Sequence, residues 1–293
     1  MKQNDTPNRK MIKNSPKNNK KYLTTKELQQ GELEILKWLD EVCQKNNLQY
    51  FVYGGTLLGT IRHHGFIPWD DDIDTIMPRP DYEKLIRILK TYSLNNPNIK
   101  AESPEISESA DFPFLKIFDT NIKFDKANNI IDATNAWIDV FPVDGIKSPT
   151  KKELKKIIFL RKILNSRRAQ IRNIVNSDFS KAKKILHRAR RIPLRIIPFK
   201  KYMKFFVKKC KSTKFQDSEY VCDAVWAKHP GNILKKEWLD KTIRMPFEDI
   251  EVNVFGGYKH YLENRYGKDY MKLPPKEKQI THGIKAYKID KEA

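Results

Sequence analysis

The 293-residue sequence has no run near the ~20 consecutive apolar residues that cross a bilayer, and no apolar core of a secretory signal at its N-terminus. Both absences point to a cytoplasmic protein. Cysteine is scarce and odd in number: Cys43, Cys210 and Cys222 are widely spaced, which excludes a disulfide framework or a zinc pattern. His63, His64 and His282 show no metal-ligand spacing, so no zinc site is expected. No internal repeat is present. Hydrophobic residues at 39% and aromatics at 11% still allow one large core.

The formal charge of +21 is unevenly spread. Residues 1–22 carry seven Lys/Arg against one Asp, and residues 151–211 carry 22 against two acids. The remainder holds 28 basic and 33 acidic residues, so the rest of the chain is mildly acidic. The first block, rich in Asn and Lys with few apolar side chains, reads as a disordered tail. The second has basic residues at helical spacing among Leu154, Ile157, Leu160, Ile163 and Leu164, with a weaker stretch over 181–192. Pro193 and Pro198 then break the chain before an aromatic patch at Tyr202, Phe205 and Phe206. Such helices fit either a peripheral contact with an anionic membrane or an insert with one face on the core. Nucleic acid is not an expected partner, because no recognition motif accompanies the charge. The domain reading is a tail at 1–22 and one catalytic unit at 23–293, with 147–214 as a basic helical insert.

The most informative stretch runs from Tyr50 to Tyr82. A short apolar strand, 50–53, meets the pair Gly54-Gly55, a short helix follows around Leu57–Arg62, and four aspartates then occupy five positions: Asp70, Asp71, Asp72 and Asp74. Unpaired carboxylates at this density cannot all be buried. Strand alternation sends Asp72 and Asp74 to one face and Ile73 to the core. Two carboxylates after a glycine turn make a hard-oxygen site suited to Mg²⁺ or Mn²⁺ with phosphate as a further ligand. The plainer alternatives are an acidic surface turn or a calcium loop. A turn seldom continues into an apolar strand, and the glycine of a calcium loop is missing.

Elsewhere, a helix begins at Thr24 with Glu27 completing a capping box, and another begins at Pro80-Asp81. Residues 93–111 read as loop, Phe114–Phe118 and Ile122–Phe124 as two short strands joined by a turn, and Val252–Phe255 as a strand. In Trp137-Ile138-Asp139-Val140-Phe141 an acid sits between apolar neighbours, an expensive place without a partner. If Ile138 and Val140 face the core, Asp139 faces the same side as Asp72 and Asp74 and supplies a third carboxylate, as ligand or as general base. The alternative is a strand-end acid capping a turn. Asp144 reads as a turn residue. Arg62, His63 and Lys116 are candidate phosphate contacts or solvated side chains, Arg62 foremost because a guanidinium can hold phosphate at two points.

The strings GGTLLGTIRHHGFIPWDDDID, MPRPDY and WIDVFPVDG resemble the signature of the LicD family, phosphocholine and sugar-phosphate transferases related to fukutin-related protein. Tyr266-Gly267, Asp269-Tyr270-Met271 and Pro274-Pro275 resemble its closing segment, with a departure at Gly256-Gly257-Tyr258. The resemblance implies an α/β fold of nucleotidyltransferase type: a mixed sheet flanked by helices, with the carboxylates on its edge. It implies that Gly54, Gly55 and Thr56 hold the donor's phosphates, and that Asp72, Asp74 and Asp139 hold the metal. It also implies transfer of phosphocholine, or a related phospho-group, from a CDP-linked donor such as CDP-choline. The acceptor would be a sugar hydroxyl of a glycan (lipopolysaccharide, teichoic acid or capsule) or of its lipid-linked precursor. Trp69, Trp137 and Phe141 are candidates for a choline cage. Two other functions compete: a nucleotidyltransferase using a nucleoside triphosphate, and a non-catalytic protein that binds anionic partners.

Overall fold

The structure is a computed structural model, and it describes residues 21–91, 96–125, 134–171, 197–226, 232–281 and 283–289. Most of the tail, the 181–192 stretch, Pro193 and His282 lie outside the described residues. Tyr22, at the end of the predicted tail, is tied down: it bridges to Tyr287, and its hydroxyl donates to Asp125.

Helix α1 (Thr25–Lys45) opens on the expected capping box, with Thr24 and Glu27 satisfying each other's backbone amides. Its apolar stripe of Leu28, Ile35, Leu36, Leu39 and Cys43 is buried, while Gln29, Glu32 and Asp40 are buried polar members of the same helix. Asp40 is paid for by three partners: Tyr50 Oη donates at 2.8 Å, Gln44 at 2.6 Å, and Arg244 makes bonds of 2.6 and 3.0 Å.

Strand β1 (Phe51–Val52) leads into α2 (Gly54–His63), then β2 (Ile73–Pro78) and α3 (Arg79–Thr91). Next come β3 (Ile99–Glu102), β4 (Leu115–Phe124) and β5 (Asn135–Ile146). The basic block supplies α4 (Lys151–Ile171) and α5 (Phe199–Cys210). Short strands β6 (Tyr220–Cys222) and β7 (Ile233–Lys235) precede a hairpin of β8 (Thr242–Phe247) and β9 (Ile250–Phe255). Helix α6 (Tyr258–Tyr266) and strand β10 (Ala286–Lys288) complete the described elements.

The main sheet runs β1-β2-β5-β4-β10, with β3 also on β4 and the β6-β7 pair continuing from the far end of β5. Among the described residues only β2 and β5 pair in parallel, so the sheet is mixed, and helices flank it. This is the α/β architecture the sequence implies. Two details differ. The residues read as two short strands around 114–124 form one strand, β4; its pairing with β5 breaks between Phe118 and Lys123, but β3 pairs up to Asp119 and β10 from Ile122, so the strand continues. The carboxylates lie on two interior strands rather than at the sheet edge, because β4 and β10 extend the sheet beyond β5.

The basic helices have one face on the core. Leu164 of α4 and Phe199, Met203, Phe206 and Cys210 of α5 are buried in the main cluster, while Phe159 and Phe205 are exposed by 63% and 44%. Among the described residues no helix is long and apolar enough to cross a membrane.

Candidate active site

The glycine pair is the first turn of α2 rather than a free loop. Tyr53 is the N-cap, and Gly54 sits at φ +57°, a backbone state that side chains with a Cβ resist. A Cβ on Gly54 would come 3.2 Å from Asp74 Oδ2, and one on Gly55 would come 2.6 Å from Asp70 Oδ2. The N-terminus of a ten-residue helix, with its unpaired amides, is thus set directly against the aspartates. Thr56 locks this arrangement: its hydroxyl accepts from the Asp74 amide at 2.9 Å, and the Tyr53 amide donates to the Asp74 carbonyl at 2.9 Å.

Alternation along the strands is as the sequence implies. Ile73 and Ile138 are 1% and 0% exposed, while Asp72, Asp74 and Asp139 are partly exposed. The parallel register places Asp74 opposite Asp139. On the other side of β5, the antiparallel register places Lys116 opposite Asp139, and its Nζ donates to Asp139 Oδ1 at 2.5 Å. The same ammonium lies 4.3 Å from the Phe112 ring centre, 4.4 Å from Trp137 and 5.3 Å from Phe114. Lys116 is buried, not solvated.

The electrostatics are those of clustered carboxylates with Lys116 beside one of them. Burial, and then the charges of Asp72, Asp139 and Asp70, push Asp74 well above the usual carboxylate range. Burial also raises Asp139, with the Lys116 ammonium holding it back, and lowers Lys116 against the pull of Asp139. Burial pushes the Tyr266 hydroxyl, at the end of α6, up to about 12; Asp74, Asp70 and Asp72 add to the shift. Glu32 of α1 is 1% exposed, and its Oε2 has no hydrogen-bond partner among the described residues.

Among the described residues no three acidic, imidazole or thiol side chains are gathered into a ready-made metal cage. Coordination by Asp72, Asp74 and Asp139 together therefore requires side-chain rotation. The donor set still fits a hard divalent cation: every donor is a carboxylate oxygen, and mutual repulsion raises the proton affinity of Asp74.

Arg62 and His63 are placed differently from the acids. Arg62 donates to the Tyr270 and Lys272 carbonyls at 3.0 and 3.3 Å and to His63 Nε2 at 3.0 Å. These bonds tie α2 to the C-terminal segment. His63 meets Trp69 edge-on at 6.3 Å, and burial with the Arg62 charge lowers its pKa. Trp137 and Phe141 flank Asp139 two positions away on either side along β5, while Trp69 packs against His63. Trp137 faces Lys116, whereas Phe141 stacks on Trp226 at 6.0 Å and meets Phe114 at 4.6 Å. Asp144 is not a turn residue. It is a buried part of β5 and holds Arg79 through two bonds of 2.7 and 2.6 Å.

Several residues near the site carry no signal in the sequence. Arg161, Arg167 and Arg168 of α4 are 6–8% exposed, hidden among many lysines of the same block. Arg168 stacks on Phe112 at 3.5 Å, lies 3.6 Å from Asp111, and its charge acts on both Lys116 and Asp139. Asp223, just after β6, is buried; among the described residues its Oδ1 has no hydrogen-bond partner, while Oδ2 accepts from Asn232 at 3.2 Å. At the departure from the family pattern, Gly257 caps α6, and a Cβ there would come within 2.2 Å of the Trp238 ring.

The fold and this carboxylate centre define a nucleotidyltransferase-type domain, and residues 47–144 match the family described as LicD/FKTN/FKRP, nucleotidyltransferase domain. The chain is 30% identical over 277 residues to the lipopolysaccharide cholinephosphotransferase LicD of Haemophilus influenzae, covering 90% of this chain and 97% of that one. A protein of Rickettsia prowazekii is 37% identical over 73 residues, 25% of this chain and 27% of its own length. The chain belongs to the LicD family.

Proposed function

We propose that this protein is a metal-dependent phosphotransferase that moves phosphocholine, or a closely related phospho-group, from CDP-choline or a similar CDP-linked donor. The acceptor is a sugar hydroxyl of a cell-surface glycan such as lipopolysaccharide or of its lipid-linked precursor. The observation that carries this reading is the Asp74–Asp139 pair, in register at the N-terminus of α2. The likeness to the Haemophilus cholinephosphotransferase along almost its whole length supports the choice of phospho-group.

Mg²⁺ or Mn²⁺ held by Asp72, Asp74 and Asp139 would neutralise charge on the diphosphate as its bridge breaks. The amides of α2 donate to phosphate oxygens, with Gly54 and Gly55 allowing close approach. Lys116 and Arg168 supply fixed positive charge beside Asp139. The acceptor oxygen bonds to the phosphorus that carries choline, and the bond from that phosphorus to the bridging oxygen of CMP breaks. CMP departs, and the hydroxyl proton passes to Asp139 acting as general base. The exposed Phe159 and Phe205 on basic helices support a cytoplasmic enzyme held peripherally at the inner face of the membrane, where a lipid-linked acceptor is presented.

The test supplies purified protein with CDP-choline, Mn²⁺ and lipooligosaccharide from which phosphocholine is absent. The expected outcome is CMP in solution and a phosphocholine mass increment on the glycan, both lost in Asp74→Asn. Pyrophosphate released from CTP, with no CMP from CDP-choline, would replace this reading with a nucleotidyltransferase.

A further inference from the structure

The segment Gly256-Gly257-Tyr258, where the sequence departs from the family pattern, opens α6 and meets Trp238. A Cβ on Gly257 would come 2.2 Å from the indole, so the ring lies directly on the backbone at the start of the helix. The half-buried indole also stacks on His260 of α6, with ring centres 5.6 Å apart and planes 19° from parallel. Trp238 is thus held as a flat platform.

A cavity of about 580 Å³ opens beside this platform, within the ~300–1,000 Å³ of ordinary ligand pockets. Trp238, His260 and Asn264 line it, together with Tyr220 and Lys235, which stand opposite each other in the β6–β7 pairing. Asn264 is one turn beyond His260 on the same face of α6. Glu237 also lines the cavity and lies 3.4 Å from Lys235, so the two formal charges of the lining cancel.

That chemistry selects among ligands. A phosphate group would meet the carboxylate of Glu237, and a hydrocarbon tail would cover polar groups without pairing them. A pyranose ring suits both halves of the lining. Its C–H face packs on an aromatic ring, and its hydroxyls donate to and accept from amide, imidazole and carboxylate groups.

The cavity also lies within reach of the reaction centre. Tyr261, next to His260 along α6, stacks on Tyr53 at 4.9 Å, and Tyr53 caps α2 at the end that faces the aspartates. Asn232 donates to the Tyr53 hydroxyl at 2.9 Å and precedes Lys235 by three residues. At ~3.3 Å per residue, the cavity begins about 10 Å from Tyr53. A short oligosaccharide covers that distance and a single sugar does not.

We propose that this cavity is a saccharide subsite that seats the acceptor glycan, with Trp238 as the stacking platform and His260, Asn264 and Glu237 as hydroxyl partners. The inference deepens the proposed function and rests on its sugar acceptor. A sugar unit remote from the reacting hydroxyl then helps decide which glycans are used.

The experiment is calorimetric titration of the full chain, wild type and W238A, with the phosphocholine-free oligosaccharide released from lipooligosaccharide by mild acid. Steady-state transfer to the intact lipooligosaccharide follows on the same preparations. The expected result is at least tenfold weaker oligosaccharide binding in W238A and a similar rise in KM for the acceptor, with KM for CDP-choline unchanged. Wild-type affinity in W238A, or no oligosaccharide binding by wild type, overturns the subsite. Absence of CMP release from wild type overturns the proposed transfer instead, and the calorimetry still decides whether the saccharide is bound. Should W238A not fold, the double variant H260A/N264A serves, because both side chains are exposed on α6. Weakened binding is expected there too, and wild-type affinity would overturn the assignment.

Discussion

Asp74 and Asp139 stand opposite each other on neighbouring parallel strands, and one of them is already paired with Lys116. Like charges directly opposite in a sheet are destabilising, and Lys116 offsets the charge of Asp139 rather than that of Asp74. The Asp74→Asn variant should therefore melt at or above the wild-type temperature without metal and lose the stabilisation that Mn²⁺ gives. Transfer activity should fall on the order of 10³-fold, the scale of several kcal/mol of lost charge stabilisation. Calorimetry with and without Mn²⁺, beside a CMP-release assay, checks both halves.

Gly54 is required on two counts, its φ of +57° and the 3.2 Å approach of its would-be Cβ to Asp74 Oδ2. Gly54→Ala should cost about 1–2 kcal/mol of stability from the left-handed backbone. The loss of activity should exceed what that destabilisation explains, because the new methyl group presses on the Asp74 carboxylate. Urea denaturation and transfer rates on the same preparation separate the two effects.

The pair Arg79–Asp144 is buried, with side-chain exposures of 9% and 1%. Removing one partner strands a charge, so Asp144→Asn or Arg79→Met should destabilise by about 3–5 kcal/mol, and replacing both by apolar residues should restore most of it. Chemical denaturation of the two single variants and the double variant measures this.

Asp223 gives the protein a pH dependence of its own. Burial raises its pKa from 3.8 to about 7, with Arg161 and Asn232 opposing the rise. Between those values the folded state binds a proton that the unfolded state does not, so stability falls as pH rises from about 4 to about 7 and then levels off. The slope from this group is about 1.4 kcal/mol per pH unit. Asp223→Asn should flatten the curve over that window and raise stability at pH 8. Denaturation midpoints across pH 4 to 8, compared with wild type, give the answer.

Because α4 and α5 bury one face in the core, deleting the basic block would remove core residues together with any membrane contact. Substituting the exposed Phe159 and Phe205 by Ser avoids this. Binding to phosphatidylglycerol vesicles should fall severalfold while the melting temperature stays within a degree or two. Equal vesicle binding would remove the peripheral contact from the account.

The sequence discloses those parts of the site that are local. Alternation around Ile73 and around Ile138 orients three aspartates correctly, because a strand has only two faces. The capping box at Thr24 marks the start of α1 for the same local reason. Tertiary neighbours are what stay hidden. Asp144 is read as a turn acid because its partner, Arg79, is 65 residues away, and only folding shows the pair. Arg168 is one basic residue among many until its stacking on Phe112 separates it from the solvated lysines. Glu32 is buried in α1, and nothing in its local sequence marks it apart from the helix's other polar residues.

The most direct measurement is thermal melting with CDP-choline, with and without Mn²⁺, on wild type and Asp74→Asn. A ligand at ~100 times its dissociation constant adds roughly 2.7 kcal/mol, a readily visible shift. The account predicts a shift with CDP-choline that requires Mn²⁺ and disappears in Asp74→Asn. A shift of equal size without metal, or one retained in Asp74→Asn, would contradict the claim that these carboxylates hold the donor through a cation.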